Sequence, residues 1–178
     1  MMEFYIPEDF HLISDTWFGR TEILQIANRN FKNVEVMNSE LIKRWNDKVE
    51  KTDTVIHLGN FAWDPNTAAK VLGQLNGKIC FLLGNADDAL EEVYEDFDNV
   101  EILENEILTL ENANLVLCHY PLEVWEGKEL GTNHAHGHTT FSHKSNFNLM
   151  NRINVCCDFW NYAPIKYSVL TDFINLDK

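Results

Sequence analysis

Basic charge is what this chain of 178 residues has least of: 14 Lys and Arg stand against 28 Asp and Glu, for a formal net charge of −14. Most of such a surface repels a polyanion, so direct nucleic-acid binding is not expected. The deficit is also local. Between Lys78 and Lys128 there is no Lys or Arg, but thirteen Asp or Glu, ten of them from Asp87 to Glu106. Cysteine is sparse as well. Cys80, Cys118, Cys156 and Cys157 form no C-x-x-C pair and lack the density of a disulfide scaffold, which fits reduced thiols and a cytoplasmic protein. No run approaches the roughly 18 apolar residues that a membrane span needs. The start Met1-Met2-Glu3-Phe4-Tyr5 has neither the positive charge nor the apolar core of a secretory signal. With 45% hydrophobic residues the chain can core one domain, expected over residues 1–178.

What is present is an alternation of strands and helices. Phe10 to Ser14, Thr54 to Leu58 and Lys78 to Leu83 read as buried strands. Between them, Glu35 to Val49 places Met37, Leu41, Ile42, Trp45 and Val49 near helical spacing, and Pro65 to Leu75 reads as a second helix ending at Asn76-Gly77. The acidic run carries the apolar stripe Leu90, Val93, Tyr94, Phe97 and predicts a third helix. From about Val100 the pattern changes to short extended segments: Glu106 to Leu110, Leu115 to Cys118 and Arg152 to Cys156. Neither repeats nor linkers interrupt it, which predicts helices layered on sheets.

Five apolar runs end on small polar clusters: Ser14-Asp15-Thr16-Trp17, Gly59-Asn60, Gly84-Asn85-Ala86-Asp87, Cys118-His119 and His136-Gly137-His138-Thr139-Thr140. Ligands collect at the carboxyl ends of strands in α/β layouts, because loops from several strands converge there. Any one cluster is an ordinary turn. The ordered set is a stronger signal than any member.

In order and spacing the set resembles the calcineurin-like metallophosphoesterase family, above all its short phage and bacterial members, whose motifs run Asp-x-His, Gly-Asp, Gly-Asn-His-Asp/Glu, His and Gly-His-x-His. The likeness extends to Phe18-Gly19, Leu41 to Asn46, Leu75 to Lys78, His119-Tyr120-Pro121-Leu122 and Asn154 to Pro164. It implies an α/β (α+β) fold, a four-layer αββα sandwich of two mixed sheets flanked by helices. It also implies metal-assisted hydrolysis of phosphate esters, in which two divalent ions clamp the phosphate and activate water.

The resemblance also shows what is missing. The first ion's ligands fall on Asp15, Trp17, Asn60 and Thr140, and only Asp15 is a strong ligand, since an indole cannot ligate and a Thr hydroxyl is weak and neutral. The bridging carboxylate is replaced by Asn60, a neutral amide. The proton donor to the leaving group is replaced by Ala86, and loss of general acid catalysis alone typically costs about 10²- to 10⁴-fold. The second ion's position keeps Asn85, His119 and His138. No cofactor is expected there, or at most one weakly held divalent ion, zinc, nickel or manganese. Arg20 and His136 are candidate anion contacts, and Trp17 is expected to fill the volume of the first ion and its water.

The expected function is therefore that of a pseudoenzyme, an inactive or impaired phosphoesterase fold acting by binding. The partners it implies are a nucleotide or phosphate ligand in the cleft, or a basic protein on the acidic segment Asp87 to Glu106; in a phage setting this describes an antagonist of a host protein or nucleotide signal, working in the host cytoplasm. The competing expectation is a residual single-metal phosphodiesterase or phosphatase built on His119 and His138. For the acidic segment, a solvated helix face and a docking surface both remain open.

Overall fold

A computed structural model describes residues 6–140, 148–149 and 151–176. The chain opens with β1 (His11–Ile13) and continues through α1 (Ile23–Ile26), α2 (Val34–Asn46), β2 (Thr54–His57), α3 (Pro65–Leu72), β3 (Lys78–Phe81), α4 (Asp88–Glu91) and β4 (Val100–Ile102). Then come β5 (Ile107–Leu110), β6 (Leu115–Cys118), β7 (Asn133–His136), β8 (Asn148–Leu149), β9 (Arg152–Asn154), β10 (Ile165–Lys166) and α5 (Tyr167–Leu176). They build two mixed five-stranded sheets, ordered β10-β1-β2-β3-β4 and β5-β6-β7-β9-β8. This is the α/β class expected, with two mixed sheets and helices.

Period-two alternation decides which face of the first sheet meets what. Ile13, Val55, Ile79 and Phe81 face a core shared with Met37, Leu41 and Trp45 of α2 and Ala68, Val71 and Leu72 of α3. Their neighbours Leu12, Ile56, Cys80 and Leu82 point the other way. They pack on Leu115, Leu117, Ala135 and Ile153 of the second sheet. Both helices start on side-chain caps, Asn33 accepting from the Val36 N–H and Asp64 from that of Thr67, with Pro65 opening α3. Among the described residues, the outer face of the second sheet carries the segment 120–132, where the Leu122 N–H donates to His134 Nε2 and Trp125 packs on the same ring.

The acidic run does not form one helix. It makes the single turn of α4 and a 3₁₀ turn at Tyr94–Asp96 before β4. Four residues of stripe are too few to hold a longer helix against a sheet edge, so only Leu90 is fully buried, and Val93, Tyr94 and Phe97 pack partly. The predicted helix over 65–75 ends at Leu72, and the sequence reading did not foresee α5.

Candidate functional site

All five polar clusters lie where the two sheets are stitched together. The chain leaving β1 pairs with the chain leaving β9 through the Ser14 and Cys156 bridge, and the Asp15 and Trp17 N–H groups donate to the carbonyls of Gly59 and Asn60. On the second sheet, the Gly137 N–H donates to the His119 carbonyl. The loops after β1, β2, β3, β6 and β7 thereby meet in one place.

Two glycines make the meeting possible. Gly59 has φ +86, and a Cβ there would lie 2.3 Å from Gly84 N and 2.9 Å from His119 Nδ1. At Gly84 a Cβ would lie 2.8 Å from His119 Cε1 and 2.9 Å from Asn60 Oδ1. The imidazole of His119 thus rests on two bare backbones. Its Nδ1–H donates to the Leu58 carbonyl at 2.5 Å, and since a carbonyl can only accept, the proton sits on Nδ1 and the Nε2 lone pair faces the site.

Around that lone pair the polar atoms are close. Asn85 Oδ1 lies 3.1 Å and His138 Nδ1 3.2 Å from His119 Nε2, and these two are 3.2 Å from each other. Ligand atoms bound to one ion at about 2.1 Å stand about 3.0 to 3.4 Å apart, so the triangle has the size of a coordination face. His119 is buried, but Asn85 and His138 are exposed, so the cluster opens to solvent.

The fourth position differs. Asn60 Nδ2 lies 3.0 Å from Asp15 Oδ1, 3.2 Å from His119 Nε2 and 3.5 Å from Asn85 Oδ1. Exchanging the amide's nitrogen and oxygen would set an oxygen against the Asp15 carboxylate, so Asp15 fixes the amide nitrogen inward. Its two hydrogens then occupy the region where an ion would need lone pairs. Asn60 Oδ1, buried on the Gly84 side, finds no hydrogen-bond partner among the described residues. Asp15 is fully buried; its other oxygen accepts from the His138 N–H at 2.8 Å, and burial pushes its carboxyl above the usual carboxylate range.

The remaining predicted positions are scattered. Trp17, at φ 54, packs with the helix-side core, and the Arg20 guanidinium lies over its ring at 4.2 Å. Thr140 is buried at the end of a described stretch, and Ala86 packs against the helix-side core with no proton to give. His136 is not an anion contact. It is fully buried, its Nδ1 bonds the Gly137 carbonyl, and burial pushes its pKa down to about 3, leaving a neutral ring. The strand alternation explains this, because His134 and His136 share the face of β7 opposite Ala135, away from the cleft.

Three groups carry more of the site than their sequence contexts suggest. Asp87, which closes the Gly84-Asn85-Ala86-Asp87 cluster and also opens the acidic segment, is 2% exposed and accepts from the N–H groups of Asn60, Phe61 and Gly84, holding two of the site loops together. Its place three residues after Gly84 is the spacing of a local side-chain cap and was the available signal. His57 accepts from the Gly59 N–H and bonds Thr16 Oγ1, which donates to the Phe61 carbonyl, and burial pushes its pKa down to about 3. Arg29 donates to both oxygens of Asp158 and to the carbonyls of Asp15 and Thr16, clamping the β1 loop from behind. No local pattern joins Arg29 to a residue 129 positions away. Arg29 also explains why Cys156, Cys157 and Asp158, though grouped closely enough to suggest a cation site, do not suit one: the carboxylate already faces a guanidinium.

No protein-family profile matches the chain, so the phosphoesterase likeness stands on the motifs. A curated relative, the uncharacterized protein MJ1445 of Methanocaldococcus jannaschii, is 33% identical over an alignment of 175 positions that covers 94% of this chain and 92% of that protein. The chain belongs to the MJ1445 family. Outside the near relatives, the crystal structure of AQ665, a protein of unknown function from Aquifex aeolicus, superposes with a TM-score of 0.69 at 24% identity, over 93% of this chain and 99% of that one. The AQ665 likeness is one of fold. In this member of the MJ1445 family no helix among the described residues is long and apolar enough to cross a membrane.

Proposed function

We propose that this chain is a metallophosphoesterase-fold protein that binds a phosphate-bearing ligand without hydrolysing it. The observation that carries the reading is the orientation of Asn60. Its amide nitrogen donates to Asp15 Oδ1 and faces His119 Nε2, where a bridging carboxylate would have to join two ions. Asp15 is engaged by that amide and by the His138 N–H, Trp17 brings no ligand atom, and Ala86 offers no acid. Water activation and protonation of a leaving group both lack their agents. Asn85 and His138 remain at the solvent edge as polar contacts for a ligand. The test is hydrolysis of bis-p-nitrophenyl phosphate with manganese, nickel or zinc, beside nucleotide binding by thermal shift. The expected result is a shift, with turnover no higher than that of an Asp15→Ala, His119→Ala double variant. Turnover well above that variant overturns the reading.

One observation favours a second reading. The triangle of Asn85 Oδ1, His119 Nε2 and His138 Nδ1 has ion-coordinating size, with separations of 3.1, 3.2 and 3.2 Å. A residual single-metal phosphodiesterase would use it. Elemental analysis separates the two: one tightly held equivalent of zinc, nickel or manganese supports the enzyme, and none supports the binder. The acidic strip from Asp88 to Glu106 is the surface offered to a basic protein partner. It borders a groove of about 440 Å³ lined by Leu103, Glu104, Glu106, Ile107, His119 and Tyr120. Retention of a partner at low salt and its release at high salt is the expected behaviour.

A further inference from the structure

Two residues beyond Asp15 and three beyond Asn60, the same two loops carry a second feature. The Phe18 N–H donates to the Phe61 carbonyl and the Trp63 N–H to the Phe18 carbonyl, so the loops run side by side and set Trp17 against Trp63 with ring centres 6.2 Å apart and planes inclined by 49°. The Arg20 guanidinium lies 4.2 Å from one ring centre and 4.7 Å from the other. Those three separations form a nearly right-angled corner, not a closed sandwich, so the cation sits in the mouth of a V between the two rings. The other three arginines all have oxygen partners: Arg29 on Asp158, Arg44 on Glu40 and Arg152 on the Leu122 carbonyl. Among the described residues Arg20 has none, and its buried Nε is without a hydrogen bond.

In a chain of net charge −14, a guanidinium without a carboxylate calls for an explanation. Glu22, two residues on, makes no ion pair with it among the described residues, and Asp64 on the facing loop is engaged in capping α3 through Thr67. The rings restrict the rotamers of Arg20 and shield it from water, which pre-organises its planar fork for a bidentate oxyanion. Trp63 is 52% exposed beside it, a stacking surface for a planar group. Trp17 holds a left-handed φ of 54 that an aromatic side chain rarely adopts, and Arg29 clamps the carbonyls just before it.

We propose that Trp17, Arg20 and Trp63 form the recognition corner for a nucleoside monophosphate, the phosphate on the Arg20 fork and the base stacked on Trp63. This rests on the binding function proposed above and names its ligand class. Isothermal titration of the full chain with AMP, GMP and orthophosphate tests it, with Arg20→Lys, Trp63→Ala and a His119→Ala, His138→Ala double variant, each checked for an unchanged melting temperature. Arg20→Lys should weaken both nucleotide and orthophosphate about tenfold. Trp63→Ala should weaken the nucleotide about tenfold and leave orthophosphate unchanged. Equal nucleotide affinity in the native chain and both corner variants, with loss in the double histidine variant, overturns the corner and keeps the cleft. No binding of any of the three ligands overturns both.

Discussion

Asp15 belongs to two polar clusters at once, and the two are built on opposite terms. Behind it, its main-chain carbonyl is held by Arg29, whose guanidinium also takes Asp158 and the Thr16 carbonyl with side chains 0% and 1% exposed. In front, its carboxylate meets Asn60, with His119, Asn85 and His138 beyond, and here Asn60 Oδ1 is left without a partner among the described residues. The rear cluster is closed and satisfied, which is how a buried charge becomes tolerable. The front cluster is open and partly satisfied, which is how a site behaves when a ligand is to complete it. The difference predicts where substitutions act: behind Asp15 on folding, in front of it on the ligand binding proposed above.

The comparison is tested most severely by removing the rear clamp. Arg29→Ala leaves Asp158 as an uncompensated buried carboxylate and should cost about 3 to 5 kcal/mol in urea unfolding; a loss below about 1 kcal/mol would show that the clamp is ornamental. Next is Asp87→Ala, which strips the acceptor from three buried N–H groups and should cost about 3 kcal/mol, while Glu91→Gln and Glu92→Gln, exposed acids of the same run, should stay within about 0.5 kcal/mol.

Acid should act through the buried neutral histidines. The folded-state pKa values of His57 and His136, about 3, lie below the ordinary 6.5, so the unfolded chain binds more protons between these limits and stability falls as the pH drops below 6.5. From pH 7 to 5.5 each should contribute a loss of about 1.3 kcal/mol. Asp15, with its carboxyl pushed up, works in the opposite sense, favouring the fold toward low pH. A His57→Gln variant should flatten the measured pH slope; an unchanged slope would mean that His57 titrates normally in the fold.

The smallest change sharpens the front cluster. Asn60→Asp sets a second carboxylate against Asp15 and should lower the melting temperature of the metal-free protein. It also supplies the missing ligand charge, so added zinc should bind at least about tenfold more tightly than in the native chain, about 1.4 kcal/mol, and restore the melting temperature. Equal zinc affinity in the two would show that the Asn60 amide does not govern metal binding.

Much of the fold was legible in the sequence, for reasons of local physics. Strands such as Thr54–His57 announce themselves by continuous apolar runs, and α2 by the spacing of Met37, Leu41 and Trp45. The acidic helix was misread because its stripe of Leu90, Val93, Tyr94 and Phe97 has helical spacing over a length too short to enforce it. His136 was misassigned because Gly137 and His138 beside it suggested a loop, whereas strand pairing with Val155 and Asn154 carries His136 into the sheet.

The sequence by itself determined the layered α/β pattern, the acidic balance and the neutral residues at Trp17, Asn60, Ala86 and Thr140, because these are properties of residue type and near-neighbour spacing. Only the tertiary structure decided that Asp15 turns the Asn60 amide nitrogen inward, that Asp87 is a buried strut and that Arg29 reaches Asp158 across 129 residues. Those outcomes depend on which lone pair meets which hydrogen once distant loops converge, and that is fixed by packing between the sheets rather than by any local pattern.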